Sequence, residues 1–84
     1  MVEKLKHVVP SEKATKMIDS ENKLQFVVDL RATKSEIKRE VERVFETPVK
    51  SVKTIITFKG EKKAIIELEE EDKAKEIGTS LGIL

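Results

Sequence analysis

The sequence predicts a single small α/β domain of the α+β kind, with elements in the order β-α-β-α-β-β-α and a mainly antiparallel four-stranded sheet covered by helices. Three observations carry this prediction. Apolar residues alternate at period two in KLQFVVDL, VKSVKTIITF and KKAIIEL, as strands with one buried face require. In TKSEIKREVERVFE they recur instead at i, i+4, i+7 and i+8, the period of an amphipathic helix. Finally, 84 residues suffice for one core and not for two.

In chain order, VEKLKHVV reads as a short edge strand ending at Pro10, which lacks the N–H that a ladder needs. Ser11 is a candidate N-cap for a short helix whose inner face is Ala14, Met17 and Ile18, and Asp19 to Asn22 read as a polar turn. Leu24, Phe26, Val28 and Leu30 then align on one side of a strand. Thr33 and Glu36 form the T-x-x-E capping box of the central helix, which places Ile37, Val41, Val44 and Phe45 on its apolar face and stops before Pro48. In the next strand Val52, Thr54, Ile56 and Phe58 share one side, with Lys53 and Ile55 on the other. Gly60 supplies a positive φ for a tight hairpin into Ala64, Ile66 and Leu68. The acidic run EEED at 69–72 reads as the start of a last helix with Ala74, Ile77 and Leu81 inside and Gly82 as its C-cap.

Composition narrows the chemistry. With no cysteine there is neither a disulfide framework nor a thiolate metal site. His7 is the lone histidine and has no second ligand for a metal. FKGEKK lacks the G-x-x-x-x-G-K-[ST] spacing of a phosphate-binding loop. Ser11 and Ser35 are accounted for as helix starts, and EEED as a cap, so no catalytic constellation is present and no cofactor is expected. No apolar run approaches the roughly 20 residues of a membrane span, and the charged N-terminal stretch does not resemble a cleaved signal. The expectation is a soluble intracellular protein.

The formal net charge of +1 conceals an uneven distribution. Residues 1–66 carry 15 Lys and Arg against 10 Asp and Glu, whereas residues 67–84 carry 2 against 6. Basic residues gather at turns and strand ends, where lysines and arginines that neutralise phosphates release counterions. A solvated charged face explains them as well on composition alone. Three phenylalanines and no tyrosine or tryptophan leave few aromatic platforms for bases, so little stacking is expected.

Four segments then resemble a known family in the right order: SEKA at 11–14, ATKSEIK at 32–38, VKTIIT at 52–57 and KGEKKA at 59–64. The chain resembles the universal large-subunit ribosomal protein L twenty-three, found beside the exit of the nascent-chain tunnel. The resemblance implies one ribosomal RNA-binding domain over 1–84, located in the cytoplasmic ribosome and monomeric outside it. Its implied partners are large-subunit ribosomal RNA, neighbouring ribosomal proteins at the tunnel exit, and the signal recognition particle or other nascent-chain factors.

Carried over by motif, the RNA side would comprise Ser11, Lys13, Arg31, Thr33, Lys34, Lys38, Lys53, Thr54, Lys59, Lys62 and Lys63, and the docking side Glu12 and Glu46. The turn in FKGEKKA is short, as in the archaeal type, and implies a hairpin that lies on RNA instead of reaching into the tunnel. Glu67 stands where the family commonly has a positive residue. A rival reading is a protein-interaction module that works through its acidic patches.

Overall fold

A computed structural model describes residues 5–8, by backbone only, and 12–82. The elements are β1 (Leu5–Val8), α1 (Glu12–Glu21), β2 (Lys23–Val28), α2 (Lys34–Phe45), β3 (Val49–Ile56), β4 (Lys62–Leu68) and α3 (Lys73–Ser80). The strands lie in the order β1-β2-β4-β3. Every pairing is antiparallel, so β2 and β3 run in the same direction on either side of β4.

The small α+β domain stands as expected, but the expected sheet needs correcting in three respects. It is wholly and not mainly antiparallel. Its body is a three-stranded antiparallel sheet of β2, β4 and β3, to which β1 adds only four residues through a ladder whose register shifts between Leu5 and His7. The helices also cover one face only. Ile18 of α1, Ile37 and Val41 of α2, and Ala74 and Ile77 of α3 share a single cluster with Leu24, Phe26, Val28, Ala64, Ile66 and Leu68. These six strand residues all point to the same side, because side chains alternate along a strand.

Leu24, Ile37, Ile66, Val28 and Val41 are the largest fully buried side chains. Phe45, half-buried, stacks on Phe26 with ring centroids 6.0 Å apart. The opposite face presents Lys23, Gln25 and Val27 of β2, Lys63, Ile65 and Glu67 of β4, and Ser51, Lys53 and Ile55 of β3 in register.

Several boundaries differ from the sequence reading. The run from Asp19 to Glu21 completes α1 instead of forming a turn. β2 stops at Val28 because Asp29 folds the chain away: its Oδ1 accepts the Arg31 N–H at 2.8 Å, and its carbonyl accepts the Ala32 N–H at 3.0 Å. Leu30 is consequently exposed. Residues 69–72 precede α3 as a bend and turn, and Asp72 has φ 60 with no side-chain capping bond.

The cap of α3 comes from elsewhere. Asn22, at φ 56 between α1 and β2, accepts the Ala74 N–H on Oδ1 at 2.9 Å. Its Nδ2 donates to the carbonyls of Leu68 at 3.1 Å and Glu70 at 2.7 Å. One side chain thus joins the start of β2, the end of β4 and the first turn of α3.

Candidate nucleic-acid interface

The register places two loops at one end of the sheet. Val28, the last residue of β2, and Ile56, the last of β3, both pair with Lys62, the first of β4. The segment 29–33 and the hairpin 57–61 are therefore neighbours. Lys62 ties them directly, its Nζ donating to the Ala32 carbonyl at 2.6 Å. That ammonium supplies charge to the surface while also fixing the loop that leads into α2.

The loop itself is held by the capping box. Thr33 Oγ1 accepts the Glu36 N–H at 3.2 Å, and Glu36 Oε1 accepts the Thr33 N–H at 3.0 Å. This sets Lys34 at the first position of α2, with Lys38 one turn on along the same side, and both are exposed. Arg31 is 94% exposed in its side chain, with Nε 3.7 Å from Asp29.

The hairpin is closed by Thr57. Its carbonyl accepts the Gly60 N–H at 2.9 Å, its N–H donates to the Glu61 carbonyl at 2.8 Å, and its hydroxyl accepts the Glu61 N–H at 3.3 Å. With Gly60 at φ 83, this is the bonding of a three-residue loop ended by a left-handed residue. Phe58 and Lys59 occupy its two corners. Period two carries Phe58 into the preceding strand, but the structure places it in the turn at 99% exposure. The alternation ends at Ile56, because the three-residue loop takes up Phe58, Lys59 and Gly60.

Thus Arg31, Lys34, Lys59 and Lys62 come together at one end, with Lys38 beside them on α2. Lys53 and Lys63 lie on the open face of the sheet, Lys53 opposite Ile65 and Lys63 opposite Ile55, which makes the two lysines diagonal neighbours about 7–8 Å apart. Thr54, opposite Ala64, faces the helices and is half-buried; it does not share a face with Lys53. Lys13 is exposed in the first turn of α1, an element that packs chiefly on β2 and α3. Ser11 lies outside the described residues.

The acids occupy the other end. β4 runs from the hairpin to Leu68, so Glu69, Glu70, Glu71 and Asp72 emerge at the end opposite Lys62. Glu46 follows α2 there at φ 50, next to Thr47, whose hydroxyl donates to Glu70 Oε1 at 3.1 Å. Glu21 ends α1 at this acidic end, while Glu12 begins that helix of ten residues, about 15 Å away. Glu67 is held by Lys50 at 3.6 Å and by the Ser51 hydroxyl at 3.3 Å.

Lys75, exposed on α3, has its pKa raised above the ordinary 10.5, first by its hydrogen bond to Asp19 and then by the charges of Asp19 and Asp72. Among the described residues no group of three His, Cys, Asp or Glu side chains is placed to hold a metal ion. None of their helices is long and apolar enough to cross a membrane.

Residues 3–76 match the family described as Ribosomal protein L23. The chain belongs to this family. It is also 46% identical over 79 residues to the large ribosomal subunit protein uL23 of the archaeon Methanococcus aeolicus, covering 94% of this chain and 92% of the relative. Membership makes the chain a structural constituent of the large ribosomal subunit and not an enzyme, with its place in the cytoplasmic ribosome.

Proposed function

We propose that the chain binds large-subunit ribosomal RNA through its basic end and open sheet face, beside the exit of the polypeptide tunnel. The observation that supports this reading is the 2.6 Å bond from Lys62 to the Ala32 carbonyl, which ties the loop carrying Arg31 and leading to Lys34 to the strand that follows the Lys59 hairpin. Two loops already held against each other have less backbone left to order on meeting phosphates than two independent loops would. Lys38, Lys53 and Lys63 extend the basic end over α2 and the sheet, while Thr33 holds the loop in shape. Binding is mainly to backbone, positioning the protein on folded RNA.

Titrating salt against binding to protein-free large-subunit ribosomal RNA tests this. The slope of log K against log salt should be steep, and removing Lys59 or Lys63 should lower it by about one for each phosphate that is no longer neutralised. Equal affinity for unrelated RNA at near-physiological salt, or a slope that ignores the hairpin lysines, would refute it.

The acidic end favours a second role alongside the first. Glu46 with the 69–72 run forms the surface offered to neighbouring ribosomal proteins and to nascent-chain factors such as the signal recognition particle, and Glu12, a helix length away at the start of α1, offers a second acidic contact. Reversing the charge of Glu12 and Glu46 should weaken factor recruitment and leave incorporation into subunits intact. Loss of incorporation would show that the two surfaces are not separable.

A further inference from the structure

We infer that Phe58 is a stacking residue, which places its ring on an unpaired nucleobase of the RNA held by the hairpin. This rests on the RNA-binding reading above. Of the three phenylalanines, Phe26 is buried in the core and Phe45 stacks upon it. Phe58 alone is 99% exposed. It has no part in the turn, whose bonds are made by Thr57, Gly60 and Glu61.

Nor is the ring an isolated apolar residue of the kind every surface carries. Ile56 is 64% exposed and Leu30 53% exposed at the same end of the sheet, so exposed apolar side chains are interspersed with the cations there. Lys59 is its immediate neighbour at the second corner of the turn, with Arg31 and Lys34 across the loop. An aromatic face set among cations meets both requirements of an unstacked nucleotide, a platform for the base and a counter-charge for its phosphate. A protein partner able to cover these apolar side chains would also have to satisfy the cations among them. The charge therefore favours RNA, and the base concerned must be unpaired, because a stacked duplex offers no free face.

The test compares wild type with Phe58→Ala, Phe58→Leu and Phe58→Trp on protein-free large-subunit ribosomal RNA over a range of salt. Phe58→Ala should weaken binding by about 5- to 150-fold, the factor equivalent to about 1–3 kcal/mol of base stacking, with the salt slope unchanged. Phe58→Leu should recover little of this, since it keeps apolar area and loses the π face. Because the chain contains no tryptophan, the single indole of Phe58→Trp reports directly: its fluorescence should be quenched on binding, at an affinity at least equal to wild type. Thermal unfolding of all four proteins should coincide, as the ring lies outside the core.

Steep, selective binding by wild type that Phe58→Ala matches within about twofold would overturn the inference while leaving electrostatic docking in place. So would wild-type affinity in Phe58→Leu, or a loss confined to association with another ribosomal protein. Shallow or unselective binding by wild type would overturn the docking reading, and this inference with it.

Discussion

Replacing Asn22 by alanine should be among the most damaging changes outside the apolar core. The substitution removes three hydrogen bonds, those to the Leu68 and Glu70 carbonyls and from the Ala74 N–H. Glu70 is exposed, so water can replace the asparagine at its carbonyl, whereas the bonds to Leu68 and Ala74 are part-buried. At about 1 kcal/mol each, these two account for about 2 kcal/mol. The φ of 56 adds about 1 kcal/mol, because asparagine tolerates the left-handed region and alanine does not. The sum, about 3 kcal/mol, is a large part of the roughly 4–13 kcal/mol that a domain of this size commands, and corresponds to a fall of about 12–24 °C in Tm.

Urea unfolding followed by circular dichroism measures it, with the m-value unchanged. Asn22→Gly loses the same bonds without the Cβ penalty, partly offset by glycine's freedom in the unfolded chain. It should therefore be more stable than Asn22→Ala by about 0.5–1 kcal/mol. A cost below about 1 kcal/mol for Asn22→Ala, or a glycine variant less stable than the alanine one, would refute the account of Asn22 as the joint of three elements.

Other perturbations probe the loops and helix contacts. Thr33→Ala breaks the capping box and should lower stability by about 1 kcal/mol, read from the urea midpoint. Gly60→Ala should cost about 1 kcal/mol from backbone strain at φ 83 alone, since a Cβ there would meet nothing within 4 Å; a much larger loss in thermal unfolding would mean that the hairpin packs more tightly than it does here. Lys75 bonds Asp19 at 3.1 Å across α1 and α3. Its raised pKa means that the pair's support is complete at neutral pH and disappears as pH climbs past 10.5 through the folded value. Asp19→Asn should bring the Lys75 titration seen by NMR back towards 10.5.

Local signals in the sequence are the readable ones. The T-x-x-E box sets the start of α2, period two sets the faces of β2 and β4, and Gly60 sets the hairpin, because each depends on residues a few positions apart. What cannot be read is long-range. Asn22 lies 52 positions from the amide it caps, so the EEED run has the look of a helix start, although the first turn of α3 is satisfied from across the sheet. Leu30 fits the alternation of β2 but is removed from it by the Asp29 turn. The candidate site divides in the same way: the lysines are evident from the sequence, yet which of them meet depends on strand order. Thr54 shows the difference, since the alternation already puts it opposite Lys53, and only the packing of helices on its side shows that it faces the core.

Strand order also explains how a chain of formal net charge +1 can present a strongly basic surface. β4 has seven residues at about 3.3 Å each, so its ends are about 20 Å apart, more than two Debye lengths at physiological ionic strength. RNA docked at the hairpin, as proposed, would therefore be screened from the acids beyond Leu68, and net charge would be the wrong quantity from which to judge affinity. Glu61→Lys and Glu71→Lys alter net charge identically, and both positions are exposed. Only Glu61→Lys puts its new cation at the hairpin, where it should tighten binding to large-subunit ribosomal RNA and steepen the salt slope by about one. Glu71→Lys should leave both unchanged. Equal gains in the two variants would mean that RNA responds to the charge of the whole molecule, and the separation into a basic and an acidic end would lose its functional meaning.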